Sequence, residues 1–213
     1  ISCTAPRPDT HTTTGVHNAP MPNALTPTRP LGATDVLVTP LALGGNVFGW
    51  TADRDQSFAV LDAYRDAGGN HIDTADAYSH WIPGNSGGDS EQIMGEWFAA
   101  RGCRDEVIVA TKVAKLPTAA GLSPDNIRTA CDASLSRLGT DYIDLYYAHE
   151  DDPDVPIAET LGAFGELIAA GKVRHIAASN FTPQRLRESL EVAAADGLPS
   201  YVATQDLYNL VDR

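Results

Sequence analysis

Short apolar runs, each ending on a polar residue, recur along this chain, with a helix-patterned segment between one run and the next. Asn70-His71-Ile72 leads to Asp73, and Tyr78 follows within the same stretch. Residues 107–111 lead to Lys112, and Ile143-Asp144-Leu145-Tyr146-Tyr147-Ala148 leads to His149. The run that starts at Val173 closes on Ser179 and Asn180, and Tyr201-Val202-Ala203-Thr204 precedes Gln205. Strand-length runs alternating with helical periodicity predict βα units and a parallel sheet with right-handed crossovers. Polar side chains gathered at the carboxyl ends of such strands are the layout of an enzyme site on a (β/α)8 TIM barrel.

The punctuation of the chain agrees. A small hairpin is expected from Pro30-Leu31-Gly32 and Val36-Leu37-Val38, followed by a first barrel strand over 41–45. A helix over 53–67 carries Phe58, Leu61 and Tyr64 on one stripe and stops at Gly68-Gly69. After a Gly/Pro/Ser-rich loop over 79–88, a second helix opens at Asp89-Ser90-Glu91. There Asp or Ser can cap, and Glu91 suits the helix dipole. Pro124 begins a third helix striped by Ile127, Cys131, Leu135 and Leu138 and stopped by Gly139. Ile157, Leu161, Phe164 and Ile168 stripe a fourth, ended by Gly171. A strand over 173–179, a helix over 183–195 and a strand over 202–207 complete the pattern.

Residues 1–28 read differently. They are rich in Pro and Thr, lack hydrophobic periodicity and lack the apolar core of a secretory signal, so a disordered leader is expected, with Met21 a plausible start. The barrel is expected over 29–213. Six βα units at roughly 30 residues each leave an eight-unit barrel of about 250 residues short by about 60, so the chain reads as a truncated barrel and a piece of a longer protein. A doubly wound sheet is the structural alternative, but Gly44-Gly45-Asn46-Val47-Phe48-Gly49 does not fit the phosphate-binding G-x-G-x-x-G pattern.

A net charge of −13 with scattered Lys and Arg argues against nucleic acid or an anionic membrane as partner. No apolar stretch reaches membrane-spanning length. Three cysteines without CxxC spacing read as reduced thiols of a cytoplasmic protein, not as a disulfide framework or a zinc site.

Several motifs, in this order and spacing, resemble the aldo-keto reductase family. They are Asp73-Thr74-Ala75-Asp76-Ala77-Tyr78, Ala110-Thr111-Lys112, the segment from Asp141 to His149, Gly171-Lys172-Val173-Arg174, Ala178-Ser179-Asn180-Phe181 and the segment from Gln205 to Leu210. The resemblance covers residues 29–213. It implies a (β/α)8 barrel that binds NADP(H) and reduces small-molecule aldehydes or ketones, with a catalytic tetrad of Asp73, Tyr78, Lys112 and His149. It also implies that Ser179, Asn180 and Gln205 hold the nicotinamide carboxamide, with Tyr208 close by.

These residue types suit the chemistry. Carbonyl reduction needs a hydride at carbon, which the cofactor carries, and a proton at oxygen, which the protein supplies. A Lys112 ammonium beside Tyr78 is expected to lower the phenol pKa, and Asp73 to hold the ammonium. His149 is expected to hydrogen-bond the carbonyl oxygen. Trp50, Trp81 and Ile82 are expected to line an apolar substrate pocket. Taken singly, each residue has an ordinary explanation: Lys112 snorkels, Tyr78 packs, Asp73 caps a turn. Their shared placement at strand ends outweighs those explanations.

Two other readings are open at this point. A metal-dependent barrel hydrolase would use His71, Asp73, Asp76 and His149, but it leaves Tyr78 and Lys112 unexplained. A catalytically weak, cofactor-binding regulatory barrel is the other. Oligomeric state and physiological substrate are not encoded legibly.

Overall fold

The computed structural model describes residues 27–211. The expected leader, Met21 included, lies almost wholly outside them. A two-stranded antiparallel hairpin, β1 (Arg29–Pro30) with β2 (Leu37–Val38), comes first. Six βα-patterned strands follow: β3 (Leu43–Gly44), β4 (His71–Asp73), β5 (Ile108–Val113), β6 (Ile143–Ala148), β7 (Val173–Ser179) and β8 (Thr204–Gln205). Between them lie α1 (Arg54–Asp66), α2 (Asp89–Arg101), α3 (Pro124–Leu138), α4 (Ile157–Ala169) and α5 (Pro183–Asp196). The six strands form one parallel sheet in sequential order, β3-β4-β5-β6-β7-β8.

Local chemistry places the helices. Asp53 caps α1 in a reciprocal capping box with Gln56. Ser123 caps α3 and Thr182 caps α5, each followed by a proline in the first turn, where the missing N–H costs nothing. The expected cap of α2 is not the one used. Gly88, in a left-handed conformation, takes the N-cap position, and Ser90 turns its hydroxyl inward to the Gly45 carbonyl at 2.7 Å. Gly45 permits this approach, since a Cβ there would stand 2.9 Å from Ser90 Oγ and 3.0 Å from the Asp73 carbonyl oxygen.

The sheet has two buried faces. The outer one packs Ile72, Val109, Tyr146 and Ile176 against the helices through Trp97, Ile127, Leu138, Leu161 and Phe164. The inner one carries a smaller cluster of Ala110, Leu145, Tyr147 and Ala177, with Leu31 of the hairpin and Val202 packed against it. The alternation of strand residues puts Asp73, Lys112, His149 and Ser179 on the inner side.

Register then staggers them. Asp73 pairs with Ala110, two residues before Lys112, and Lys112 pairs with Tyr147, two residues before His149. Such shear belongs to strands tilted around a barrel axis. The architecture, among the described residues, is that of five consecutive βα units and a sixth strand of a (β/α)8 barrel with an N-terminal hairpin. The last strand is shorter than the expected 202–207: only Thr204 and Gln205 pair with β7. No helix among the described residues is long and apolar enough to cross a membrane.

Candidate active site

Lys112 is the centre of the site. Its side chain is 0% exposed, and its three ammonium protons find three acceptors: Asp73 Oδ2 at 2.6 Å, the Thr74 carbonyl at 2.8 Å and Tyr78 OH at 2.9 Å. Tyr78 reaches Asp73 Oδ2 at 3.3 Å. The ammonium also lies 4.7 Å from the centre of the Tyr78 ring and 5.8 Å from that of Tyr147. The His149 ring stands nearly perpendicular to Tyr78, with centroids 6.0 Å apart. The structure thus brings Asp73, Tyr78, Lys112 and His149 together from β4, the loop after it, β5 and the end of β6.

Electrostatics sharpen the picture and overturn one expectation. The Tyr78 phenol is pushed up, not down, first by burial and then by the Asp73 carboxylate. Lys112 does not prevail because its charge is already neutralised by Asp73, and burial pushes the ammonium itself below its usual value. Tyr78 therefore keeps its proton throughout the neutral range. His149 is held down to about 3 by burial and by the positive charges of Lys112 and Lys115, so its imidazole is neutral. Its Nδ1 is buried without a partner among the described residues.

The second group forms a connected set beside it. Ser179 Oγ donates to the Gln205 carbonyl oxygen at 2.6 Å, and Asn180 Nδ2 donates to Ser179 Oγ at 3.0 Å and to the His149 carbonyl oxygen at 2.8 Å. With both Nδ2 protons committed, Asn180 Oδ1 is left as an acceptor, and Gln205 is exposed. A primary carboxamide needs an acceptor for its N–H and a donor for its oxygen, so this amide set fits one. Tyr208 is 75% exposed.

Trp50 and Trp81 meet edge to face at 5.5 Å, and His80 meets Trp81 at 5.3 Å. Both tryptophans are nearly half exposed, which leaves an aromatic surface on the loops after β3 and β4. Ile82, half-buried in the same loop, is not part of that stack.

Sequence reasoning missed a buried layer behind the site. Glu91 is fully buried, not a surface dipole partner: it accepts from Thr111 Oγ1 at 2.5 Å and from Arg137 Nε at 2.6 Å. Asp76, 1% exposed, meets no well-formed hydrogen bond at either carboxylate oxygen among the described residues, and burial together with Glu91 raises it to about 7. In the sequence it stood out only within the Asp73–Tyr78 motif and as a ligand in the hydrolase reading, neither of which reveals its burial. Asp76 faces Glu91 and Arg137. Among the described residues no group of three or more His, Cys, Asp or Glu side chains is placed to hold a metal, so the hydrolase reading has no ligand set there. A cleft of about 560 Å³, lined by Arg104, Leu135 and Tyr142 among others, opens at the amino end of β6, the end of the strand opposite His149.

Comparison with known proteins agrees with this arrangement. The model of the aldo/keto reductase family matches residues 40–213. Norsolorinic acid reductase B of Aspergillus parasiticus is 34% identical over 198 residues, covering 85% of this chain and 50% of the relative. Aldo-keto reductase str7 of Strobilurus tenacellus is 35% identical over 172 residues, covering 76% and 48%. An uncharacterized oxidoreductase, YrpG, of Bacillus subtilis is 36% identical over 193 residues, covering 86% and 58%. The chain spans about half the length of these curated relatives. A parallel βα arc with its polar residues at the strand ends, matched by the family over most of its length, is a member of the aldo/keto reductase family.

Proposed function

We propose that this chain carries the carbonyl-reducing site of an NADP(H)-dependent reductase that converts aldehydes or ketones to alcohols. The observation that carries the reading is the buried Lys112 ammonium bonded at once to Asp73, Thr74 and Tyr78. The phenol that serves as its third acceptor is the group placed to give up a proton with that ammonium beside it.

Bound NADPH supplies hydride to the carbonyl carbon. Tyr78 supplies the proton to the oxygen. Burial and Asp73 keep the phenol protonated until a developing alkoxide offers a stronger base. When the proton leaves, Lys112 Nζ, 2.9 Å away, donates to the phenolate oxygen, and Asp73 holds the ammonium in place. His149 is neutral and carries one N–H. A buried Nδ1 without an acceptor is better unprotonated, which puts the proton on Nε2 as donor to the carbonyl oxygen. Asn180 Oδ1 and the Gln205 side-chain amide hold the carboxamide and so fix which ring face meets the substrate. Trp50 and Trp81 offer a surface for an aromatic or aliphatic carbonyl compound.

The preference for NADP(H) over NAD(H) rests on the family resemblance, and the cytoplasmic assignment rests on the cysteine usage. The test is label transfer. With NADPH deuterated at the reactive carbon and a reactive aromatic aldehyde, the alcohol formed carries deuterium on its carbinol carbon. Label lost to solvent, or no aldehyde-dependent oxidation of NADPH, contradicts the reading.

A further inference from the structure

Asn180 follows β7 directly and holds φ at +56°, a left-handed conformation uncommon for a non-glycine residue and best tolerated by asparagine. The reversal has a consequence for direction. Ser179 occupies the inner face of the sheet, so in a continuing strand the next side chain would point to the outer face. The left-handed turn instead brings the Asn180 amide back to the inner side, where Nδ2 meets Ser179 Oγ and the His149 carbonyl oxygen. What holds the turn is a carboxylate: the Asn180 backbone N–H donates to Asp206 Oδ1 at 2.9 Å. That bond is charge-assisted, and its acceptor is on the residue directly after Gln205, whose carbonyl receives Ser179 Oγ.

We propose that Asp206 is a positioning residue: its carboxylate clamps the Asn180 N–H and, through the Asn180 amide, sets where Ser179 and His149 stand. It links the two halves of the site. Asp206 meets the site through the Asn180 backbone N–H, and that one bond fixes the residue whose side-chain amide bridges Ser179 and His149. The effect on His149 stands on the hydrogen bonds alone, whereas the effect on nicotinamide rests on the reading of Ser179, Asn180 and Gln205 as the carboxamide site.

The experiment compares the whole chain with Asp206→Ala and Asp206→Asn. The asparagine keeps an oxygen acceptor without the charge. Asp206 is exposed, so the thermal midpoint is expected to be unchanged in both variants. Amide hydrogen exchange, read by NMR without any nucleotide, is expected to be about ten-fold faster at Asn180 in Asp206→Ala and to recover to within about three-fold in Asp206→Asn. The His149 ring signals are expected to move with it. NADPH affinity, read by nucleotide fluorescence, is expected to follow the same order, about ten-fold weaker and then largely rescued. Equal Asn180 exchange in the wild-type chain and Asp206→Ala overturns the proposal, as does unchanged NADPH affinity in Asp206→Ala. A wild-type chain that takes up no NADPH but shows the exchange pattern supports the clamp on His149 and removes the nicotinamide reading instead.

Discussion

Lys112 and Asp73 form an ion pair with Nζ 2.6 Å from Oδ2, and the lysine side chain is closed off from solvent. An ammonium in that position is stable only while its partners are intact, because a buried charge that loses its counterion has no water to replace it. Asp73→Asn is therefore expected to cost about 3–5 kcal/mol, and adding Lys112→Met to return much of the loss. Chemical denaturation of the two single variants and the double variant decides this. Additive losses would show that the two residues do not act as a pair.

Asp76 gives the fold a pH dependence with a definite sign. Its folded pKa is raised from 3.8 to about 7, so between those values the folded chain holds a proton that the unfolded chain has released. Stability therefore falls as pH rises through this window, by up to about 1.4 kcal/mol per pH unit, and levels off above it. The groups facing Asp76 are Glu91 of α2, Arg137 of α3, Lys112 of β5 and Tyr146 of β6. Asp76→Asn keeps the shape and removes the proton, so its stability is expected to exceed that of the wild-type chain by a margin that grows from pH 4 to 7. A constant difference across those pH values would contradict the account.

His149 titrates far below an exposed histidine. Held at about 3 by burial, Lys112 and Lys115, it stays neutral when folded while an unfolded histidine takes a proton near 6.5. Acidification from pH 7 to 5 thus costs stability through His149, and its ring signals are expected not to shift over that range in an NMR titration. A midpoint near 6.5 would mean that the imidazole is open to solvent. His149→Ala is expected to lower kcat by about two orders of magnitude through loss of the donor to the carbonyl oxygen.

Much of this site was legible because strands and their ends have a strong signature. The apolar runs before Asp73, Lys112 and His149 set period and length, and β7 spans the expected 173–179. Helix α1 was equally plain from its stripe of Phe58, Leu61 and Tyr64, although Asp53 proves to be its cap and not its first residue. What sequence reasoning lost depends on neighbours far along the chain. Glu91 looked like a dipole partner because only its own helix was in view, whereas Thr111 and Arg137 bury it. Ser90 looked like a cap because nothing local reveals the Gly45 carbonyl beneath it. The direction of the Tyr78 shift was misjudged for a related reason: proximity to Lys112 was legible, but burial and the prior claim of Asp73 on that ammonium were not.

The central claim is that Tyr78 delivers the proton to a carbonyl oxygen with Lys112 behind it. The most direct measurement is NADPH oxidation driven by a reactive aromatic aldehyde, with the 213-residue chain and its Tyr78→Phe variant side by side. The phenylalanine preserves the ring packed near His149 and removes only the hydroxyl that meets Lys112 and Asp73. Turnover in the wild-type chain that falls by about 100-fold or more in the variant is the expected result. Equal turnover in the two would contradict the assignment of Tyr78 as the acid.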